Sequence, residues 1–315
     1  MAPEFTEFHD ELRSVACDVL SKDPVVDWQA LVEAGWVGLE VPEQFGGAGA
    51  TFAETAVICE EMGRAASTNN YLGSAVLAVG TLNALQPSAT RDRLLTDAAS
   101  GAVRVAVALE PLEFVPDAEG ADRILIIADS GVAVADVTVT KQPVLDETRR
   151  LATVSSVETT EALRFEGDPA AAIRRLRDRA AVAVACDSLG LSEAMLSATV
   201  TYVKVRQQFG RPIGSFQAVK HACADMQVHI AVTRQLVRAA IESVVHGRDD
   251  GAASMAKSYA STAAVDIAGK AMQLHGGIGY TWESGIHVYL KRAALNRSLF
   301  GSPAVHRKEL AKRYV

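Results

Sequence analysis

The chain has 315 residues, 49% of them hydrophobic and 22% charged, the balance of a globular protein with core enough for two or three domains. Its formal net charge of −7 argues against a nucleic-acid partner, which needs a basic face, and obliges any anionic ligand to find local positive charge. No apolar run is expected to approach the roughly 18 to 20 residues of a membrane span, and the acidic opening MAPEFTEFHDELRS lacks the basic-then-apolar order of a signal peptide, so a cytoplasmic protein with no membrane partner is expected.

The first hundred residues read as helices. In 5–20 the apolar side chains Phe5, Phe8, Leu12, Val15 and Val19 fall three and four apart, the stripe of an amphipathic helix. A short helix over 28–34 is stopped by Gly35, and Pro42 with Gly46-Gly47 marks a loop. A third helix, 52–63, should turn Val57, Ile58 and Met62 inward and Glu54, Glu60 and Glu61 outward. A fourth, 72–85, is almost wholly apolar and should be buried. Cys17, Cys59, Cys186 and Cys223 stand far apart without a C-x-x-C pair, the pattern of buried free thiols, and no metal site is expected.

At Gly101 the period changes. VRVAVALE, DRILIIAD, GVAVADVTVTK and RRLATVSSV alternate or run apolar at strand length between proline and glycine breaks, a small β region over about 102–165. From Pro169 helices return. One runs 170–202, expected to be broken or strained near Gly190; the next, 216–245, repeats Val219, Ala222, Met226, Ile230, Thr233, Val237, Ala240 and Val244 as a bundle seam. A small-residue helix follows over 252–274, and a last one over 303–314 after Phe300-Gly301-Ser302. The expected fold is α+β: an N-terminal helical domain (1–100), a small middle β domain (101–168) and a C-terminal four-helix-bundle domain (169–315).

Two glycine-rich stretches stand out. RQQFGRPIGSFQ (206–217) breaks a helix at Phe209-Gly210 and again at Pro212-Ile213-Gly214, making a tight corner that carries Arg206, Gln208 and Arg211 on a backbone open to close approach. That suits a diphosphate, although an arginine near a helix C-terminus is favoured there on its own account. QLHGGIGY (273–280) ends another long helix in three glycines within four positions, where a plain C-cap needs one.

With both stretches in hand the chain resembles the acyl-CoA dehydrogenase family of flavoproteins: the R-x-x-F-G corner, the following Phe216-Gln217, and Q-x-x-G-G-x-G-Y some sixty residues on. The WQALVEAGWVGLEVPEQFGG segment is also close to a family signature, whose loop borders the acyl pocket in the family and which reads equally as a packing corner. The resemblance implies that Arg206, Gln208, Phe209, Gln217, Gln273, Gly276 and Gly277 hold the ADP half of an FAD whose flavin ring lies on a neighbouring subunit. It also implies α,β-dehydrogenation of an acyl-CoA to a 2-enoyl-CoA, with electron-transferring flavoprotein as the acceptor.

The chain departs from the family where chemistry is expected. Of the segments that wrap the flavin ring, Glu110-Pro111 is at most a remnant of one, and the other has no counterpart. The proton-abstracting glutamate has two family positions. Aligning Arg292 on the family's late R-D-A-K arginine puts Phe300 and Gly301 at the tyrosine and glutamate of Y-E-G-T; counting back from Arg206 puts Ala180 and Ala181 at the early Glu-Arg pair. Neither position can act as a base. Asp178 is the nearest substitute, but two positions on a helix rotate a side chain by about 200°, and a solvated charged cluster of Asp178 and Arg179 with Arg174, Arg175 and Arg177 is the simpler reading; Asp187 and Glu193 face helix neighbours.

Such a chain resembles the short subunit of the family's α2β2 branch, in which a full-length acyl-CoA dehydrogenase subunit supplies the base. That branch is associated with bulky, sterol-derived acyl-CoA substrates. Two other readings remain open at the level of sequence: a self-sufficient dehydrogenase with a displaced base, and a structural subunit that holds no flavin.

Overall fold

The computed structural model describes residues 3–128 and 131–313; Asp129, Tyr314 and the side chain of Phe5 lie outside the described residues. Local chemistry starts the helices. After α1 (Pro3–Lys22), Asp27 caps α2 (Trp28–Glu33) by accepting from the Ala30 amide, and Thr51 opens α3 (Phe52–Arg64) with a capping box closed by Glu54. The apolar stretch α4 (Leu72–Asn83) is π-helical over Leu72–Val79 and buried throughout that span. Ser88 caps α5 (Ala89–Ala99), and Asp168 caps α6 (Pro169–Val205) with proline at its first position.

Strands β1 (Val105–Ala108), β2 (Val115–Pro116), β3 (Arg123–Ala128), β4 (Gly131–Lys141) and β5 (Leu151–Leu163) form one sheet in the order β1-β3-β4-β5-β2. β1 runs parallel to β3 and the other pairs are antiparallel. Alternation splits the sheet between two cores. Val105, Val107, Leu125 and Ile127 pack with Leu77, Leu82, Leu95 and Leu176, while Ala106, Ala108, Ile124 and Ile126 pack with Val154 on the other face.

The remaining helices are α7 (Gln217–Val245), α8 (Ala252–His275), α9 (Ile286–Ser298) and α10 (Pro303–Ala311). The α7 seam is as the periodicity predicts, with Met226, Ile230, Thr233, Val237 and Ala240 buried. One core joins both ends of the chain: Ala16, Leu20, Ile58 and Met62 pack with Val182, Cys186, Ile230 and Ile267.

Five expectations change. The buried face of α1 is Ala16 and Leu20; Phe8 and Val15 are exposed, so the apolar spacing selects the helix but misplaces its inner side. On α3, Glu54 and Glu61 are buried, because His9 bonds Glu54 at 2.7 Å and Arg13 and Arg64 reach Glu61 at 3.1 and 3.0 Å. α6 is unbroken at Gly190, where a Cβ would meet Glu60 O at 1.8 Å, so this glycine admits α3 to close contact. By length and composition α6 is also apolar enough to cross a membrane, contrary to expectation; its apolar window is 83% buried within the protein. Of the four thiols, Cys59 and Cys186 are buried as expected, Cys223 is half-buried and Cys17 is exposed.

Candidate functional site

The first glycine-rich stretch is a corner between α6 and α7. Its two short strands, β6 (Gln207–Gln208) and β7 (Arg211–Pro212), pair across Phe209 and Gly210, whose φ values of +54° and +74° are those of a tight hairpin turn. Phe209 is 91% exposed, and the Arg211 guanidinium lies 4.1 Å over the Phe216 ring. The second stretch meets the first one turn back from each end. Tyr202 stacks on His275 at 4.4 Å and donates to the His275 carbonyl at 3.3 Å, while the His275 ring is fixed on the Ala271 carbonyl.

The glycines of this corner separate by cause. Gly276 has φ +63°, which a glycine adopts without strain, and a Cβ at Gly279 would press on Met272 O at 2.8 Å. Gly277 has neither reason, since a Cβ there would meet nothing within 4 Å. Arg206, Gln208, Phe209, Gln217, Gln273, Gly276 and Gly277 are all exposed. Among the described residues Arg206 and Arg211 take part in no ion pair. Two uncommitted guanidinium groups beside open glycine backbone fit the diphosphate of a dinucleotide.

A different site lies between the sheet and the helices. A cavity of about 840 Å³ is walled by Val107, Leu109, Val115, Leu295 and Leu299, with Asp178 and the Phe300-Gly301 corner also on its lining. That corner takes two successive left-handed conformations, φ +55° and +101°. Two side chains pin it: buried Lys257 donates to the carbonyls of Asn296 and Gly301, both at 2.9 Å, and His306 Nε2 donates to Phe300 O at 3.0 Å. Burial lowers the Lys257 pKa to about 7. A Cβ at Gly301 would stand 2.8 Å from His306 Nε2, so the position is closed to a longer side chain as well as lacking one.

Ala180 and Ala181, the other expected base position, are buried and apolar. Burial first, then Asp249 nearby, raises the Asp178 carboxyl to about 6. The expected solvated cluster is wrong for Arg179, which is buried, while Asp178 is half-buried and lines the cavity together with exposed Arg174 and Arg177. Arg179 bonds both carboxylate oxygens of Glu40 and the Val76 carbonyl and stacks 4.5 Å over Phe52. Glu40 belongs to the GLEVPEQFGG loop, which is thereby a packing corner; it contributes nothing to the cavity lining.

Asp187 was expected only to face its helix neighbours. It is instead the centre of a buried knot, bonded to Arg292, Arg149 and Asn296. Burial opposes its ionisation, but the two guanidinium groups hold its carboxyl at about 2. Glu193 likewise pairs with Arg64 and Arg234. The single signal for the knot in the sequence is the alignment of Arg292 with the family's arginine; nothing in periodicity points to Ser254, Lys257 or His306.

Residues 4–102 match the family "Acyl-CoA dehydrogenase, N-terminal domain" and residues 171–315 "Acyl-CoA dehydrogenase, C-terminal domain". Acyl-CoA dehydrogenase IpdE2 of Mycobacterium tuberculosis is 38% identical over 279 residues, 88% of this chain and 82% of that protein; its namesake from Mycolicibacterium smegmatis is 37% identical over 93% and 89%. Among solved structures, a variant of the Tcur3481-Tcur3483 steroid ACAD superposes with a TM-score of 0.87 at 25% identity over 98% of this chain and 97% of its own. The ChsE4-ChsE5 complex from Mycobacterium tuberculosis gives 0.86 over 97% and 96%; at 22% identity it speaks for the fold.

Proposed function

The chain belongs to the acyl-CoA dehydrogenase family, and on that premise we propose that it is the FAD-clamping subunit of a mixed, α2β2 assembly whose full-length partner carries the catalytic base. The observation that carries this reading is Gly301: the residue aligned with the family's base has no side chain, and His306 fills the space into which one would grow. A dehydrogenase needs a carboxylate within reach of the substrate α-carbon, so the abstraction falls to another chain.

What this chain offers lies at its exposed corner. Arg206 and Arg211 would bind the diphosphate, Gln208, Gln217 and Gln273 the polar edges of the ADP half, and Gly276-Gly277 would let backbone amides approach it. FAD, when bound, supplies the acceptor for the hydride leaving the β-carbon. The substrate of this reading is a bulky, steroid-derived acyl-CoA, supported by the steroid ACAD among the structural neighbours, and the mixed assembly is supported by the two-protein ChsE4-ChsE5 complex. Electron-transferring flavoprotein is the proposed acceptor and the cytoplasm the proposed site.

Co-expression followed by flavin analysis tests it. The chain alone should purify nearly colourless, and the mixed tetramer should carry two FAD per four chains and bleach with a steroid acyl-CoA. One FAD per copy of this chain purified alone, bleaching with substrate, would overturn it. Asp178 gives a second reading a foothold, since it lines the same cavity as Gly301 with a carboxyl raised to about 6. Under that reading the chain alone is active and Asp178→Asn abolishes the bleaching.

A further inference from the structure

The two glycine-rich stretches are joined by a pair of side chains 73 residues apart in the chain, and one diphosphate has to meet both stretches at once. At their tips both are open. Phe209 is 91% exposed on left-handed backbone, Gly276 has φ +63°, and a Cβ at Gly277 would meet nothing within 4 Å. Backbone of this kind samples many conformations unless a contact outside it fixes its place, and ordering it at the moment of binding costs affinity.

The contact here is Tyr202 with His275. Their rings stack at 4.4 Å with 21° between the planes, and the Tyr202 hydroxyl donates to the His275 carbonyl at 3.3 Å. The Ala271 carbonyl only accepts, so the 2.7 Å bond to it places a proton on His275 Nδ1 and sets the orientation of that buried ring. Each half of the corner is one step away. On the glycine side a Cβ at Gly279 would stand 2.8 Å from Met272 O and 3.2 Å from the His275 Cβ, so the loop folds back onto this residue. On the arginine side the Arg206 amide donates to the Tyr202 carbonyl at 2.9 Å, and the Arg206 carbonyl accepts from the Ile213 amide at 2.8 Å.

We propose that Tyr202 and His275 are positioning residues, whose stack holds the backbone of Arg206 in register with Gly276-Gly277 and so raises flavin affinity. The role rests on the reading of the corner as an FAD clamp.

Flavin titration of the flavin-stripped, co-expressed complex tests it, read by quenching of flavin fluorescence beside the denaturation midpoint of each variant. Tyr202→Leu removes the stack and should raise the dissociation constant about 3- to 10-fold; Tyr202→Phe keeps the ring and should raise it no more than about 2-fold. His275→Leu breaks the stack from the other side and should match Tyr202→Leu. In an Arg206→Ala background Tyr202→Leu should cost less than in the parent, because a side chain that is gone no longer needs aligning. Val237 is buried in the α7 seam, about 30 Å along the helix from Gln217. Val237→Ala should lower the midpoint and leave the dissociation constant unchanged, so that lost stability alone does not imitate the effect. An unchanged dissociation constant in Tyr202→Leu or His275→Leu, an equal rise in Tyr202→Phe, full additivity with Arg206→Ala, or an equal rise in Val237→Ala would each overturn the proposal. Arg206→Ala separates this role from the clamp itself. If it leaves flavin retention unchanged, the clamp falls and the positioning role with it; if it weakens retention and Tyr202→Leu does not, only the positioning role is lost.

Discussion

The exposed corner at residues 206–217 and 273–280 and the buried interior behind Gly301 are built on opposite terms. The corner keeps charge unspent: Arg206 and Arg211 have no carboxylate partner among the described residues, and Gly277 has open space where a side chain would be. In the interior charge is committed. Asp187, Arg292 and Arg149 are locked together, and Lys257 and His306 are bound to the backbone of the corner that they hold. A surface left unsatisfied is completed by another molecule, whereas a satisfied interior holds its shape alone.

The contrast makes the knot the place to break first. Arg292→Leu leaves Asp187 charged and buried, with an expected loss of about 3–5 kcal/mol of stability, read as a fall in the denaturation midpoint. The double variant with Asp187→Leu should recover part of that loss, and a purely additive result would mean that the two side chains do not act as a pair. Gly301→Glu comes next. It forces a side chain onto φ +101° and against His306, for an expected cost of about 2–4 kcal/mol. Despite restoring a carboxylate, it should not give the chain dehydrogenase activity on its own.

Arg206→Ala should do the reverse. The flavin dissociation constant of the mixed complex should rise by about 10- to 100-fold, for the roughly 1.5–3 kcal/mol of a charge-assisted contact, while thermal stability moves by no more than about 0.5 kcal/mol. A large loss of stability with unchanged flavin retention would erase the distinction between the two regions. A further effect is one of pH. Lys257 is held at about 7 when folded against an ordinary 10.5, so between those values the unfolded chain binds more protons and stability rises with pH. Above about 9 the buried thiol of Cys59, raised to about 12 by burial, begins to oppose this. Stability should therefore climb from pH 7 to 9 in the parent, and more shallowly in Lys257→Met.

The two regions also differ in how far the sequence disclosed them. The corner was legible because it is local: Phe209-Gly210 and Gly276 are runs of adjacent residues whose backbone demands show in the letters themselves. The cavity was half legible. Alignment places Gly301 where a base is expected, but Ser254, Lys257 and His306 come from two helices more than forty residues apart, and no spacing joins them.

What the sequence by itself determined is the order of helices and strands, the seam of α7, the two glycine motifs and the missing carboxylates, because periodicity, capping and glycine conformation act within a few residues. What only the tertiary structure decided is which charges go inside. Glu54, Glu61, Arg179 and Asp187 look like surface residues in the sequence, and each is buried because a polar partner distant in the chain bonds it. The same holds for the inner face of α1, set by the core it meets and not by its own apolar spacing. Burial of a charge costs free energy that only a specific contact offsets, and such contacts exist only after distant segments have packed together.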